Sequence, residues 1–211
     1  MTVAEPDTIA DLLDALGDVP PSRVLMRSLG TATEADVLAL KCVELVDGVL
    51  VEKSAGFPKG CAEVGIGGPL WEFARRTKAG ALTMASGPHR VAPGVVRLPD
   101  VAFTRWDRFR SADGTIPDIV PGGPDLVVEI PTADNPPAEL ARKRREFFAA
   151  GTRLLWEFDL AARTVAVFHN PEACVVLTTD DTLDGGDVLP GFAVALGELF
   201  ADPQFTLRRP A

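Results

Sequence analysis

Hydrophobic residues near the start of the chain recur at helical spacing and predict two short helices. Over residues 7–16, apolar side chains fall on one helical face before Gly17, which is typical of a helix and its C-terminal stop. Thr33 and Asp36 resemble a capping box, in which each residue bonds the other's backbone N–H, and they predict the start of a second helix.

The spacing then changes to one that favours strands. Two apolar runs, 42–46 and 49–52, flank Asp47-Gly48, which predicts a β-hairpin because a type I′ turn needs positive φ at both central residues. Apolar runs bounded by Gly, Pro and Asp predict further strands at 81–85, 95–97, 100–104, 125–130, 153–158, 163–169, 173–178 and 192–195. Helical spacing predicts helices at 61–78 and 137–150, although three glycines and Pro69 interrupt the first of them.

This order of elements predicts a mixed α/β (α+β) fold. Helices come first, a long run of strands follows, and one helix, 137–150, lies between two strands. We assign residues 1–30 to an N-terminal helical extension and residues 31–211 to the main domain. A chain of 211 residues is long enough for one domain with a full core.

Composition and charge exclude several classes of protein. The net charge of −9 counts against a protein that coats nucleic acid nonspecifically, because such binding depends on phosphate neutralisation by Lys and Arg. No run approaches the roughly 18 apolar residues that a membrane span needs. The three cysteines fit neither a disulfide framework nor a metal site, so we expect them to be buried and the protein to be cytoplasmic.

Glu129 is the strongest candidate for chemistry, because it lies in the middle of the apolar run 125–130. Side chains alternate along a strand, so Glu129 shares a face with Val127 while Val128 and Ile130 take the other face. A carboxylate buried there is strongly unfavourable unless a cation or hydrogen-bond donors compensate it. The alternative is a structural ion pair with a buried arginine, such as Arg97 or Arg153.

Three more charged residues have less specific surroundings. Asp100 follows a proline at the start of a strand, where it could also be a turn residue or a cap. Lys143 flanks the predicted core stripe of helix 137–150, formed by Leu140, Phe147 and Phe148, and its ammonium could extend along the sheet. Glu44, taken alone, fits the exposed face of a strand.

The remaining candidates favour structural roles. His89 and His169 are the only histidines and do not have the spacing of a zinc site or a catalytic triad. His89 is predicted to lie in a surface loop. The tryptophans, Trp71, Trp106 and Trp156, are predicted to belong to the core or its edge.

Seven short segments occur in a characteristic order along the chain: 43–48, 96–103, 123–130, 143–151, 155–159, 189–192 and 199–200. Together they resemble the Uma-type endonuclease family of the restriction-endonuclease-like PD-(D/E)xK superfamily. The resemblance covers about residues 20–200, and Lys143 follows Glu129 by fourteen residues, as the family's lysine does. The chain departs from the family at Thr132-Ala133, at Lys59 in place of a histidine, and at Phe148 in place of a tyrosine.

The resemblance implies a central mixed sheet flanked by helices and an active site of Glu44, Asp100, Glu129 and Lys143. It further implies Mg²⁺, with Mn²⁺ as an alternative, held by Asp100, Glu129, the carbonyl of Ile130 and, directly or through water, Glu44. Lys143 would orient the attacking water. The implied activity is phosphodiester hydrolysis, expected on DNA, by a homodimer. The other hypothesis is an inactive member of the fold that acts as a binding or assembly module.

Overall fold

The structure is a computed structural model, and it describes residues 8–26, 29–109 and 113–205. Its helices are α1 (Ile9–Ala15), α2 (Glu34–Leu40), α3 (Phe57–Thr77), α4 (Pro137–Ala149) and α5 (Leu196–Ala201). Its strands are β1 (Val43–Val46), β2 (Val49–Glu52), β3 (Gly80–Met84), β4 (His89–Ala92), β5 (Val95–Arg97), β6 (Val101–Arg105), β7 (Val120–Pro121), β8 (Leu126–Glu129), β9 (Leu154–Asp159), β10 (Thr164–Phe168), β11 (Cys174–Leu177), β12 (Thr182–Gly185) and β13 (Leu189–Ala195).

A six-stranded sheet in the order β11-β10-β9-β8-β6-β3 forms the centre of the molecule. Strands β8 and β9 are parallel and joined through α4, as a crossover requires, while the other neighbours are antiparallel. Val127 and Leu155 pack against Phe147 of α4 on one face. Val128 and Ile130 point to the opposite face, where α3 packs. The predicted alternation around Glu129 is therefore confirmed.

A second sheet has the order β2-β1-β5-β4-β7, and a short segment of the chain connects it to the first sheet. Only residues 98–100 separate β5 of this sheet from β6 of the six-stranded sheet. Asp100 therefore stands at the junction of the two sheets. The predicted β1–β2 hairpin is confirmed, with φ of 50° at Asp47 and 79° at Gly48. The predicted capping box of Thr33 and Asp36 is also present.

Helix α3 differs from its prediction because it begins at Phe57 and runs through Pro69. Two of its glycines lie where a Cβ would crowd a neighbouring side chain. A Cβ on Gly65 would lie 2.6 Å from the ring of Phe205, and one on Gly67 would lie 2.9 Å from the sulfur of Met84. These glycines made the helix prediction weaker, and close packing explains why they are present.

The sequence pattern did not predict strands β4, β7 and β12. Because β4 was missed, the predicted position of His89 in a surface loop was wrong. His89 is 1% exposed, and its ring contacts the carbonyl of Gly87 and the hydroxyl of Thr104. Burial lowers the pKa of His89 to about 4, so it is neutral at pH 7. The Gly-Pro pair before it indicated a turn but gave no sign of the strand that follows.

The predictions for cysteine and tryptophan were partly wrong. Cys42 and Cys174 are exposed, and Cys61 is only half-buried. Trp156 is fully buried in the core, as predicted, whereas Trp71 is 57% exposed on α3.

The N-terminal segment packs on the hairpin rather than standing apart from it. Leu16, Val19 and Val24 form a cluster with apolar residues of β1 and β2. The division at residue 30 stays a prediction, and residues 1–7 and 27–28 of the extension lie outside the described residues. No helix in the described part of the chain combines the length and apolar composition that a bilayer crossing needs.

Phe147 is the apolar contact that fixes α4 on the central sheet, because it is fully buried among residues of β8 and β9. Phe147→Ala should lower the free energy of unfolding by about 3–5 kcal/mol, the cost of emptying a phenylalanine site in a core. Phe57→Ala removes the same atoms from an 81% exposed position and should change it by less than about 0.5 kcal/mol. Urea unfolding followed by tryptophan fluorescence measures both, and equal effects would contradict this packing.

Candidate active site

Asp100 and Glu129 face each other because of the register of β6 and β8. Val101 pairs with Val128, so the next residues outward, Asp100 and Glu129, are opposite each other on the same face of the sheet. The backbone N–H of Ile130, directly after β8, donates to the side-chain Oδ2 of Asp100 at 2.7 Å and holds this carboxylate at the end of β8. Both acids are buried, at 0% and 5% exposure. Like charges in directly opposite positions destabilise a sheet unless cations stand beside them.

Two lysines neutralise Asp100. Lys53, just after β2, places its Nζ 2.6 Å from Oδ1, and Lys59, in the first turn of α3, places its Nζ 2.9 Å from Oδ2. Burial alone would raise the pKa of Asp100, but the two ammonium groups outweigh it and hold the pKa below its usual value. Asp100 is therefore a carboxylate at neutral pH. Neither a role in a turn nor a role as a helix cap is needed to explain why Asp100 lies at this position.

Glu129 is less well compensated than Asp100. Its Oε2 lies 3.9 Å from Nζ of Lys143, and among the described residues its buried Oε1 has no hydrogen-bond partner. Burial raises the pKa of Glu129 to about 7; the negative charges of Asp100 and Glu44 add to this effect, while Lys143 and Lys53 oppose it. In the structure, Glu129 thus carries a buried carboxyl oxygen that is unsatisfied.

Lys143 extends from α4 into the centre of this acidic cluster. It is 3% exposed, and its Nζ lies 3.1 Å from Glu44, 3.8 Å from Glu139 and 3.9 Å from Glu129. Burial alone would lower its pKa, but the surrounding carboxylates raise it above its usual value, so Lys143 is a cation at neutral pH. The predicted stripe of Leu140, Phe147 and Phe148 is corrected: the buried residues of α4 are Glu139, Lys143 and Phe147.

Glu44, which lies on strand β1 of the second sheet, belongs to the same acidic cluster. It is fully buried, so its predicted position on an exposed strand face is wrong. Oε2 accepts from Arg97 at 2.8 Å, and Oε1 accepts from the backbone N–H of Leu98 at 3.1 Å. Burial opposes ionisation of Glu44, but Lys143 and Arg97 reverse the effect and hold its pKa far below the usual range. The buried arginine considered as a partner for Glu129 pairs instead with Glu44.

A cavity of about 1070 Å³ begins beside Asp100. Lys59 and Ile130, which both contact Asp100, belong to its wall, as do Thr132 and Arg163. Glu157 also lines it. The parallel register pairs Glu129 with Glu157, and Arg144 binds Glu157 at 2.7 Å. A row of acids, Asp100, Glu129 and Glu157, therefore crosses the sheet, with Lys59 at its first end and Arg144 at its last. Of these residues, Lys59 and Glu157 line the cavity.

The donor set fits a hard divalent cation. No group of three or more His, Cys, Asp or Glu side chains in described positions is arranged as a metal site. Two register-opposed carboxylates, one of which has an unsatisfied buried oxygen, nevertheless supply the oxygen ligands that Mg²⁺ prefers, and Mg²⁺ commonly keeps several waters beside one or two carboxylates. Lys53 and Lys59 are the cations that stand at Asp100 in the structure.

The sequence did not indicate that Lys53 and Glu63 lie near Asp100. Lys59 was noted only as a departure from the family pattern. Glu63 lies one helical turn after Lys59 and is half-buried; burial, and then the charge of Asp100, raise its pKa. A charged residue directly after a buried strand was the only available signal for Lys53. The first turn of α3 was predicted as a loop, so Lys59 had no assigned direction.

Comparison with known proteins shows the family and the fold of this chain. The family model Uma2, described as "Putative restriction endonuclease", matches residues 37–197. A crystal structure from Anabaena variabilis, described as a "putative nuclease belonging to DUF820", matches with a TM-score of 0.67 and 16% identity over 75% of this chain and 89% of that chain. No curated protein matches. The structural match confirms the predicted mixed α/β fold.

The raised pKa of Glu129 predicts a pH-dependent stability. The unfolded chain releases this proton near pH 4.5 and the folded protein near pH 7. Between these values the folded state binds more protons, so stability falls as pH rises. Glu129→Gln has no group that titrates at this position, so the variant does not share this loss of stability. The free energy of unfolding of the variant minus that of wild type should therefore increase between pH 4.5 and 7, by up to about 3 kcal/mol, and then stay constant.

Urea titrations across this pH range measure the difference between the variant and wild type. Glu72→Gln is the matched control, because Glu72 is an exposed glutamate on α3. A difference for Glu129→Gln that stays flat, or that shrinks as the pH rises, would contradict the uncompensated burial of Glu129.

Proposed function

The chain belongs to the Uma2 family of restriction-endonuclease-like proteins, and on that premise we propose that it is a metal-dependent nuclease that hydrolyses phosphodiester bonds in DNA. One observation carries the proposal. Asp100 and Glu129 are opposite each other on neighbouring strands, and Lys143 lies beside them in a buried cluster. A fold has little structural reason to oppose two buried carboxylates, because apolar residues at these positions would avoid the cost of desolvation.

In this proposal Asp100, Glu129 and the carbonyl of Ile130 hold a divalent cation, Mg²⁺ or Mn²⁺. The bound ion would lower the pKa of a coordinated water and neutralise charge on the phosphate. Glu129 is suited to the role because its Oε1 has no partner among the described residues. Glu44 is retained in the set as a positioning residue that acts through Lys143, because both of its oxygens already accept hydrogen bonds.

Lys143 acts as a fixed positive charge rather than as a base. Its pKa is raised above its usual value by the surrounding carboxylates, so it keeps its proton at neutral pH. Its ammonium donates to the attacking water, holds that water in line with the phosphorus, and stabilises the negative charge that develops on the phosphate oxygens. Glu44 and Glu139, at 3.1 and 3.8 Å, keep the ammonium in place.

One observation favours the second candidate, a catalytically inactive module that binds or assembles through this fold. Both oxygens of Asp100 are paired with lysines in the structure, so the charge of Asp100 is compensated without a metal ion. The homodimer and the cytoplasmic location stay predictions. Light scattering of the purified protein tests the first, and a mass equal to 22.4 kDa would exclude it under those conditions.

Plasmid nicking distinguishes the two candidates. Wild type should nick supercoiled plasmid with Mg²⁺ or Mn²⁺ and not in EDTA. Asp100→Asn and Lys143→Met should each lower the rate by about 100-fold or more, the usual cost of removing a group that stabilises the transition state. Asp107→Asn is the matched control and should nick as wild type does, because Asp107 is an exposed acid paired with Arg105.

The purified variants also need to show wild-type far-UV circular dichroism, so that loss of nicking is not loss of fold. Nicking that survives both Asp100→Asn and Lys143→Met would come from a contaminant and would remove the nuclease proposal. Absence of nicking by well-folded wild type across both metals would favour the inactive module.

A further inference from the structure

Asp100 has one more cation than its charge requires. Lys53 and Lys59 each bring an ammonium within 2.9 Å of its carboxylate, and the backbone N–H of Ile130 adds a third donor at 2.7 Å. One buried ammonium is enough to neutralise one buried carboxylate. A second one adds its own desolvation cost. Lys53 also offsets the buried charge of Glu129, whereas the acid that Lys59 faces besides Asp100 is the half-buried Glu63 on the same helix.

The two lysines are held differently. Nζ of Lys53 donates to the carbonyl of Leu98 as well as to Asp100, so two acceptors at the sheet junction fix it. Apart from Asp100, the one hydrogen-bond acceptor of Lys59 Nζ within the described ranges is the hydroxyl of Ser54, at the limiting distance of 3.5 Å. Lys59 is therefore the cation that can leave Asp100 with the smaller loss of hydrogen bonds.

Lys59 also differs from Lys53 in what it faces. It lines the cavity of about 1070 Å³ together with Ile130 and Thr132, at the side of the cavity next to Asp100. Lys53 borders a separate cavity of about 590 Å³ beside Cys42 and Val43. A long, flexible side chain between a buried carboxylate and an open cavity can pair with an anion in either place.

We propose that Lys59 is an exchangeable counter-ion: it neutralises Asp100 in the free protein, and it binds a phosphate group of the nucleic acid when a divalent cation takes its place at Asp100. The inference rests on the proposed nuclease function. It assigns Lys59 to substrate binding and Lys53 to permanent support of Asp100. Lys53 stays beside Asp100 in both states, and the divalent cation replaces the charge of Lys59, so Asp100 is never left uncompensated.

The first test measures metal affinity without activity, by the electron paramagnetic resonance signal of free Mn²⁺ during titration. Lys59→Met should bind Mn²⁺ at least about tenfold more tightly than wild type, because a competing charge a few ångströms from the ion is removed. Asp100→Asn should lose Mn²⁺ binding. Lys59→Gln is the second variant, and Lys53 keeps Asp100 neutralised in both, so both should fold. Unchanged or weaker Mn²⁺ binding by the Lys59 variants would overturn the inference.

The second test measures the phosphate contact, by fluorescence anisotropy of a labelled DNA duplex in Ca²⁺ at several salt concentrations. The slope of log affinity against log salt should fall by about one for Lys59→Met, the signature of one lost phosphate contact. Lys59→Arg should restore it. An unchanged slope for Lys59→Met would overturn the phosphate role.

Failure of this inference and failure of the proposed function give different results. If wild type nicks plasmid but the Lys59 variants bind Mn²⁺ no more tightly, the nuclease stands and the exchange is excluded. If the Lys59 variants bind Mn²⁺ more tightly and change the salt slope while wild type does not nick, the exchange stands and the hydrolytic function is excluded.

Discussion

Two carboxylates that face each other across neighbouring strands set the constraint on which this site depends. The register of β6 and β8 brings Asp100 and Glu129 opposite each other, and both are buried. The residue across from Glu129 on the other neighbouring strand is a third acid, Glu157. Compensation comes from outside the sheet: Lys53 follows β2, and two helices, α3 and α4, each direct one lysine toward the pair. The compensation is uneven, since Asp100 is saturated and Glu129 is not. Uneven compensation of a matched pair is the arrangement expected of a site that takes up a further cation.

A chain of ion pairs extends from this site and ties both sheets to α4. Arg97 on β5 bridges Glu44 of β1 and Glu146 of α4, and Arg142 continues from Glu146 to Asp47 in the hairpin turn. Buried ion pairs add little net stability compared with well-packed apolar residues, but removing one partner is strongly destabilising. The network therefore determines how α4 is oriented more than it adds to the stability of the fold. It fixes the rotation of α4, and with it the direction of Lys143.

Much of the fold and part of the site could be predicted from sequence, for physical reasons that differ by residue. Asp47-Gly48 needed positive φ, and Glu129 broke an apolar run, so both were visible locally. Lys143 could be placed on a helix, but its burial among three acids depends on how α4 crosses the sheet. Lys53 and Lys59 could not be found, because nothing in their local sequence shows that the end of β2 and the start of α3 converge on Asp100. Trp71 and His89 were misjudged because exposure is decided by tertiary packing, which residue type alone does not reveal.

If the opposed acids Asp100 and Glu129 form a site for a divalent cation, Mn²⁺ should bind between them. Anomalous diffraction from crystals soaked in Mn²⁺ measures this binding, since the anomalous signal locates the metal without assumption about activity. A peak is expected in contact with Asp100 and Glu129, beside the carbonyl of Ile130. Soaked crystals in which both carboxylates remain metal-free, with Lys53 and Lys59 still bound to Asp100, would contradict it.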